Sequence, residues 1–205
     1  SARKSGYTNL ELYTNDKEFS RDLDIDRVHF IDDEYYIWDS FKLWVLENRE
    51  DNNYFLCDSD VIFKNIIPLN GNVDIYHDAY EDLAWEWGYG DTMRYLETHN
   101  VFKDIDFWTH EKKNVINVGI LKINNPKLKS DYIKYWKQLY KIYDEHIDKH
   151  GKDGFTQVLT QYLLTLLVEN GNYSSENFSG IDWDKHNPYY KHYAGHQKLK
   201  KLYLI

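Results

Sequence analysis

The sequence predicts a single α/β domain, and three observations support this prediction. Short apolar runs alternate along the chain with segments whose apolar residues recur at helical spacing, which is typical of sheets covered by helices. The length of 205 residues suits one domain with a substantial core. A composition of 42% hydrophobic and 29% charged residues is typical of a globular chain. We therefore expect residues 1–205 to form one domain.

Each predicted element rests on its own apolar pattern. Apolar runs predict strands, and the longest of them would be interrupted at Gly119. Apolar residues that share one side at helical spacing predict helices, the last of which ends before Gly171. The predicted strands are 10–13, 28–31, 54–57, 73–76 and 115–123, and the predicted helices are 36–46, 133–147 and 155–167. The segment 174–205 carries no clear pattern.

Charge and composition exclude several classes of protein. The net charge of −9 and the lack of a basic stripe argue against a nucleic-acid-binding protein. The single Cys57 excludes an internal disulfide framework. No apolar run reaches membrane-spanning length, and the first residues do not resemble a signal peptide. We therefore expect a soluble, cytoplasmic protein.

Two carboxylates, Asp58 and Asp60, directly follow the apolar run 54–57. On an extended backbone, residues two apart point the same way. Two neighbouring anions at the end of a buried strand repel each other, so a cation that neutralises them favours the arrangement. Oxygen ligands suit Mg²⁺ or Mn²⁺, which would also hold a substrate diphosphate. The alternative is a strand end whose Asp residues cap turns.

His192, Gly195 and Lys198 stand three residues apart near the C-terminus. A neutral imidazole can complete a metal shell that carboxylates begin. A glycine lets a backbone N–H approach a phosphate, and a lysine adds positive charge for a diphosphate. The alternative is a solvated basic tail, because Lys200 and Lys201 follow.

Together these segments resemble the GT-A glycosyltransferases, especially the retaining group that includes glycogenin and bacterial lipopolysaccharide galactosyltransferases. That group carries an Asp-x-Asp after an apolar strand and a His-x-x-Gly-x-x-Lys motif near its C-terminus, as residues 58–60 and 192–198 do here. Residues 117–119 are similar to its Asn-x-Gly strand. The resemblance implies an α/β fold with one GT-A, Rossmann-like domain, whose central, mostly parallel mixed sheet is flanked by helices.

The resemblance also implies a role for each motif residue. The metal ligands for Mn²⁺ or Mg²⁺ would be Asp58, Asp60 and His192. Of these, Asp60 would bind directly, and Asp58 would contact the ribose or reach the metal through water. The groups beside the donor sugar, implied as catalytic, are Asp39, Asp153 and Gln157. The residues implied to bind the nucleotide sugar are Asp58, Asp60, Lys42, Asn117, Gly119, His192, Gly195 and Lys198, with Lys42 standing where Arg is more usual.

The implied activity is transfer of a hexose or deoxyhexose from a UDP-sugar to a glycan or glycoprotein acceptor, with retention. The chain also resembles transferase domains of large algal viruses, whose donors include UDP-glucose and UDP-rhamnose. The family begins with a strand and a helix that bind the uridine. The first residues of this chain resemble the end of that helix. We therefore expect the first strand to be absent from the sequence, which leaves room for a larger multidomain protein.

Three alternatives remain open from the sequence. Inversion would require a carboxylate base, and the candidates are Asp78, Glu81, Asp82 and Asp153. A phosphatase of the haloacid dehalogenase type would use Asp58 as nucleophile and Asp60 as acid, although that family has its motif near the start of the domain. A non-catalytic glycan-binding module would explain the 17% of aromatic residues but not Lys198 or the Asn117-x-Gly119 strand.

Overall fold

The computed structural model of the chain describes residues 1–15, 24–31, 40–69, 71–82, 89–99, 105–109, 114–146, 152–178 and 187–192. Helices and mixed sheets occur together in these ranges, which confirms the predicted α/β class. The strands are β1 (Glu11–Thr14), β2 (Arg27–Phe30), β3 (Leu56–Cys57), β4 (Val61–Phe63), β5 (Ile75–Asp82), β6 (Asn114–Ile123), β7 (Ser175–Asn177) and β8 (Tyr190–His192). The helices are α1 (Ser40–Asn48), α2 (Tyr89–Thr98), α3 (Pro126–His146), α4 (Lys152–Gln157) and α5 (Leu163–Asn170), with a short 3-10 helix (Arg3–Ser5) and a π-helical turn (Val158–Tyr162).

Strand β6 lies inside a four-stranded sheet of order β3-β6-β5-β7. All of its residues except the first are buried. The strand continues through Gly119, but its pairing register with β5 shifts there, between the pairs His77–Leu121 and Ala79–Asn117. It pairs antiparallel with β3 and β5, whereas β5 and β7 are parallel. The expectation of a mostly parallel sheet is therefore wrong for this sheet. An alternation of strands and helices predicts the class, but it does not determine at which end of the sheet each connection finishes.

Helix α3 begins earlier than the apolar pattern indicates. The side-chain oxygen of Asn125 accepts the N–H groups of Lys127 (2.9 Å) and Leu128 (3.1 Å), which caps the first turn. Pro126 suits the first helical position because its ring fixes φ and it has no N–H to satisfy. The helix buries Trp136 completely against the core. Its start is therefore set by capping rather than by the first apolar residue of the repeat.

Residues 152–170 form one helical stretch with the π-helical turn in its middle. The stretch contains the predicted helix 155–167 and extends it at both ends. The Tyr132 hydroxyl of α3 donates to the carbonyl of Thr160 in the π-helical turn (3.1 Å). The N–H of Ile116 in β6 donates to the Thr165 hydroxyl (2.8 Å). These bonds join the stretch to α3 and to the central sheet.

Near the N-terminus, β1 and β2 form a parallel pair, and the ring of Tyr13 in β1 lies 5.9 Å from that of Trp44 in α1. Helix α1 lies within and just beyond the predicted helix 36–46, of which residues 36–39 are outside the described ranges. One oxygen of Glu11 accepts bonds from the Tyr13 hydroxyl (2.8 Å), Arg49 Nη1 (2.9 Å) and His29 Nε2 (3.1 Å). We call these four residues the Glu11 cluster. It attaches the β1–β2 pair to the residue that follows α1.

The C-terminal segment, which carries no clear sequence pattern, contributes two short strands. Strand β7 extends the central sheet beside β5. Strand β8 pairs antiparallel with β4, which opposes Val61 to His192 and Phe63 to Tyr190. This pairing returns the end of the described chain to the turn that carries Asp58 and Asp60.

Candidate metal centre

Asp58 and Asp60 lie in the turn that joins β3 to β4. The N–H of Asp58 donates to the carbonyl of Gly119 in β6 (2.9 Å), and the N–H of Val61 donates to the carbonyl of Asp58 (3.2 Å). The expected extended backbone at this position is therefore wrong, because a turn closes there. The turn nevertheless brings both carboxylates together, with the Asp58 side chain 20% exposed and that of Asp60 5% exposed.

His192 joins the two carboxylates from the far end of the described chain. Its Nε2 lies 3.3 Å from Asp60 Oδ1 and 3.8 Å from Asp58 Oδ2. One ligand atom of each residue lies within 4.8 Å of those of the other two. The imidazole is buried and belongs to β8, so the alternative of a solvated tail does not apply to His192. We call Asp58, Asp60 and His192 the candidate metal centre.

Lys42 of α1 also reaches this centre. Its ammonium group lies 2.6 Å from Asp58 Oδ1 and donates to the carbonyl of Val118 (2.8 Å). The Lys42 side chain is only 13% exposed. One oxygen of Asp58 is therefore paired with a lysine, while the other faces His192. The structure thus brings Lys42 to the predicted site, where it pairs with the Asp58 oxygen that does not face His192.

A buried carboxylate, Asp78 of β5, lies behind His192. Its Oδ2 is 2.6 Å from His192 Nδ1, and its Oδ1 accepts the hydroxyl of Tyr190. Asp78 is 1% exposed. Both of its oxygens are engaged within the protein, which disfavours Asp78 as a base for an incoming acceptor. Sequence analysis did not connect Asp78 with His192, because the two residues are 114 positions apart.

Gly119 provides the space in which His192 and Asp78 meet. A Cβ built on Gly119 would lie 2.8 Å from Asp78 Oδ2 and closer still to the ring of His192. The N–H of Gly119 donates to the side-chain oxygen of Asn117 (2.8 Å), whose amide nitrogen donates to Glu81 (3.3 Å). The Asn-x-Gly pattern therefore borders the candidate metal centre. Glycine is required at position 119 because a Cβ there would collide with His192 and Asp78, and not because the backbone angle is unusual.

The electrostatics of the centre are dominated by carboxylates. Burial acts to lower the pKa of His192, but hydrogen bonds and charge attraction from Asp60 and Asp78 outweigh it and raise the pKa to about 9. Burial disfavours the charged form of Glu81 and therefore raises the pKa of its carboxyl group. Within the described ranges, three carboxylates (Asp58, Asp60 and Asp78) face Lys42 and His192. Even with a protonated imidazole, negative charge is in excess.

This donor set fits a divalent cation. Two carboxylates and one imidazole are ligands that Mn²⁺ accepts readily, and carboxylates alone suit Mg²⁺. The Asp60 carboxylate is almost completely removed from water, where an anion is costly unless positive charge lies beside it. A dication would supply that charge and offset the excess of carboxylates. The donor set is therefore compatible with a divalent cation such as the predicted Mn²⁺ or Mg²⁺.

The remaining predicted site residues fall into two groups. The backbone of Asp153 belongs to α4, and Gln157 ends that helix with a buried Oε1 that accepts no hydrogen bond within the described part of the chain. The structure does not describe the side chains of Asp153 and Asp82. The predicted residues that lie wholly outside the described ranges are Asp39, Gly195 and Lys198.

Comparisons with known proteins do not assign a family. No protein-family model, curated protein or solved structure matches this chain. None of the helices in the described ranges combines the length and apolar character that a bilayer crossing requires.

Proposed function

We propose that the chain is a glycosyltransferase of the GT-A type that requires a divalent metal ion. It would transfer a hexose or deoxyhexose from a UDP-sugar to a glycan or glycoprotein acceptor. The observation that carries this proposal is that His192, which is far away in sequence, meets Asp58 and Asp60 in one cluster of possible metal ligands. Residues 58–60 and His192 belong to the two motifs on which the resemblance to these transferases rests.

The chain's own residues would act on the nucleotide sugar in distinct ways. Asp58, Asp60 and His192 would hold the metal ion, which when bound neutralises the diphosphate and promotes its departure. Lys42 pairs with one oxygen of Asp58 and adds positive charge beside that carboxylate. Gly119 leaves the space that the His192 ring occupies, and Asn117 accepts the N–H of Gly119, so these two residues of β6 support the site from behind.

Retention of the anomeric configuration is part of the proposal. An inverting enzyme needs a carboxylate base positioned for in-line attack by the acceptor. Asp78 is buried and engaged on both oxygens, and Glu81 is bonded to Asn117. Proton NMR of the first product from an α-linked donor tests this point. We expect an α-linked product, and a β-linked product would make the reaction inverting.

The test of the proposed activity is a panel of UDP-, GDP- and dTDP-sugars with Mn²⁺, scored for donor hydrolysis and transfer. We expect turnover with a UDP-sugar, and we expect Asp60→Ala to abolish it. Asp74→Ala is the matched control, because Asp74 precedes β5 and bonds Ser174 and Asn125. It lies about 13 Å along the strand from Asp78. Normal turnover by Asp60→Ala, or release of phosphate from simple phosphoesters without use of any sugar nucleotide, would overturn the proposal.

A further inference from the structure

We propose that Asp78 is a positioning residue that fixes the orientation of His192, so that its Nε2 faces Asp58 and Asp60. This inference rests on the proposed metal site and deepens it. The observation behind it is a chain of contacts in which Asp78 binds one ring nitrogen of His192 while the other nitrogen lies at the two carboxylates. Asp78 would not touch the metal ion or the substrate.

The two nitrogens of His192 have different partners. A carboxylate only accepts hydrogen bonds, so Nδ1 must carry a proton where it lies 2.6 Å from Asp78 Oδ2. A neutral imidazole with its proton on Nδ1 has its lone pair on Nε2. That nitrogen lies 3.3 Å from Asp60 Oδ1. Between the two neutral forms of the ring, Asp78 therefore favours the one whose Nε2 can bind a metal on the side of the carboxylates.

Asp78 is itself held in place from several directions. It belongs to β5 in the interior of the four-stranded sheet, and its backbone carbonyl accepts the N–H of Phe178 (3.1 Å). The Tyr190 hydroxyl donates to Asp78 Oδ1, and Tyr190 is two residues before His192 in β8. Gly119 leaves the space in which the carboxylate and the ring meet. Such outer carboxylates orient ligating histidines and raise their basicity.

A general electrostatic role for Asp78 is the competing explanation. A buried negative charge near a cation site would strengthen binding of any cation, whether or not His192 is present. A positioning role instead requires His192, because the effect passes through its ring. The two explanations therefore differ in whether the effects of changing Asp78 and His192 are independent.

The experiment is a double-mutant cycle on Mn²⁺ affinity, measured by calorimetry with the metal alone. We expect Asp78→Asn to weaken Mn²⁺ binding by about 10- to 100-fold, as removal of an outer partner of a ligating histidine does. In the His192→Ala background, Asp78→Asn should cause no further loss. Asp74→Asn, the same substitution just before β5, should leave Mn²⁺ affinity unchanged. Tyr190→Phe, which keeps the Asp78 charge but removes one restraint on it, should weaken binding less than Asp78→Asn.

Each outcome decides the inference separately from the proposed transferase activity. Equal Mn²⁺ affinity of Asp78→Asn and the unaltered chain would overturn the positioning role, and so would equal losses with and without His192. If Asp78→Asn does not fold, unchanged Mn²⁺ affinity of Tyr190→Phe would overturn it. Lack of Mn²⁺ binding by the unaltered chain would also overturn it, whereas turnover of UDP-sugars would still decide the transferase. Coupled losses without turnover of any sugar nucleotide would support the positioning role and contradict the transferase.

Discussion

The Glu11 cluster and the candidate metal centre both combine carboxylate, histidine and a basic side chain, yet they differ in how completely their charges are matched. In the Glu11 cluster, one carboxylate receives donors from tyrosine, histidine and arginine, and Arg49 also pairs with Asp51. Around the candidate metal centre, contacts among the described residues join three carboxylates, Asp58, Asp60 and Asp78, to one lysine, one histidine and the Tyr190 hydroxyl. Residue types alone would not distinguish the two clusters.

This difference in charge balance bears on which of the two clusters is suited to bind a cation. A carboxylate whose hydrogen bonds are supplied by its neighbours stabilises the fold and gains little from an added cation. Where the described carboxylates outnumber the described cationic groups in a largely buried cluster, an added cation offsets the cost of burying the negative charge. The Glu11 cluster therefore fits a structural role, and the candidate metal centre fits a binding role.

The largest effect is expected from Gly119→Ala. The added Cβ would overlap the ring of His192 and crowd Asp78 Oδ2, so the imidazole would be displaced from Asp58 and Asp60. We expect Mn²⁺ affinity, measured by calorimetry, to fall by more than about 100-fold, as loss of an oriented ligand would cause. The matched control is Gly71→Ala, whose Cβ would have 3.4 Å to its nearest atom. Equal Mn²⁺ affinity of the two variants would show that His192 does not bind the ion.

A moderate effect on stability, without an effect on the metal, is expected from Glu11→Gln. Burial alone would raise the pKa of Glu11, but the Tyr13 hydroxyl and the Arg49 charge hold it below its usual range. The substitution should lower the free energy of unfolding by about 1.5–3 kcal/mol near neutral pH, measured by urea denaturation, because hydrogen bonds to a charged group are lost. The Mn²⁺-induced rise in melting temperature should remain.

The stability lost in Glu11→Gln should depend on pH in a defined direction. Since the folded chain lowers the pKa of Glu11, its ionised form adds stability above the pKa of the unfolded chain, and that stability disappears as the pH falls through the folded pKa. The two proteins should therefore become more alike in stability below about pH 4. A difference that grows on acidification would contradict the assigned contacts.

The smallest effect is expected from Lys42→Met, and it should have opposite signs in the two measurements. Removal of the ammonium group leaves Asp58 without its 2.6 Å partner, so the melting temperature without metal should fall. The same change removes a positive charge that repels a dication, so Mn²⁺ affinity should rise by about tenfold, which is ~1.4 kcal/mol. A loss of Mn²⁺ affinity would instead show that Lys42 is needed to orient Asp58.

Sequence reasoning could identify the elements whose signals are local. The apolar run around Val115 predicted β6, and Asp58 and Asp60 were recognisable because they follow such a run. The early start of α3 could also have been predicted, because Asn125 before Pro126 is a typical helix N-terminus. The directions of the strands could not be predicted, since strand direction depends on where each connection finishes.

The support around the candidate metal centre could not be predicted, for a physical reason. Strand β8 has only three residues and no apolar run, so its pairing with β4 leaves no periodic signal. Asp78 meets His192 only because β5 and β8 bring them together. The role of Gly119 likewise follows from a contact distance, which the sequence does not contain.

The most direct test of the central claim is EPR spectroscopy of Mn²⁺ added to the unaltered chain, Asp60→Asn and Glu11→Gln. We expect the unaltered chain and Glu11→Gln to bind Mn²⁺ at a site with nitrogen coupling from His192, and we expect Asp60→Asn to lose this site. The coupling should also disappear in His192→Ala. Equal Mn²⁺ binding by Asp60→Asn, or a bound Mn²⁺ without nitrogen coupling in the unaltered chain, would contradict the assignment of Asp58, Asp60 and His192 as a metal centre.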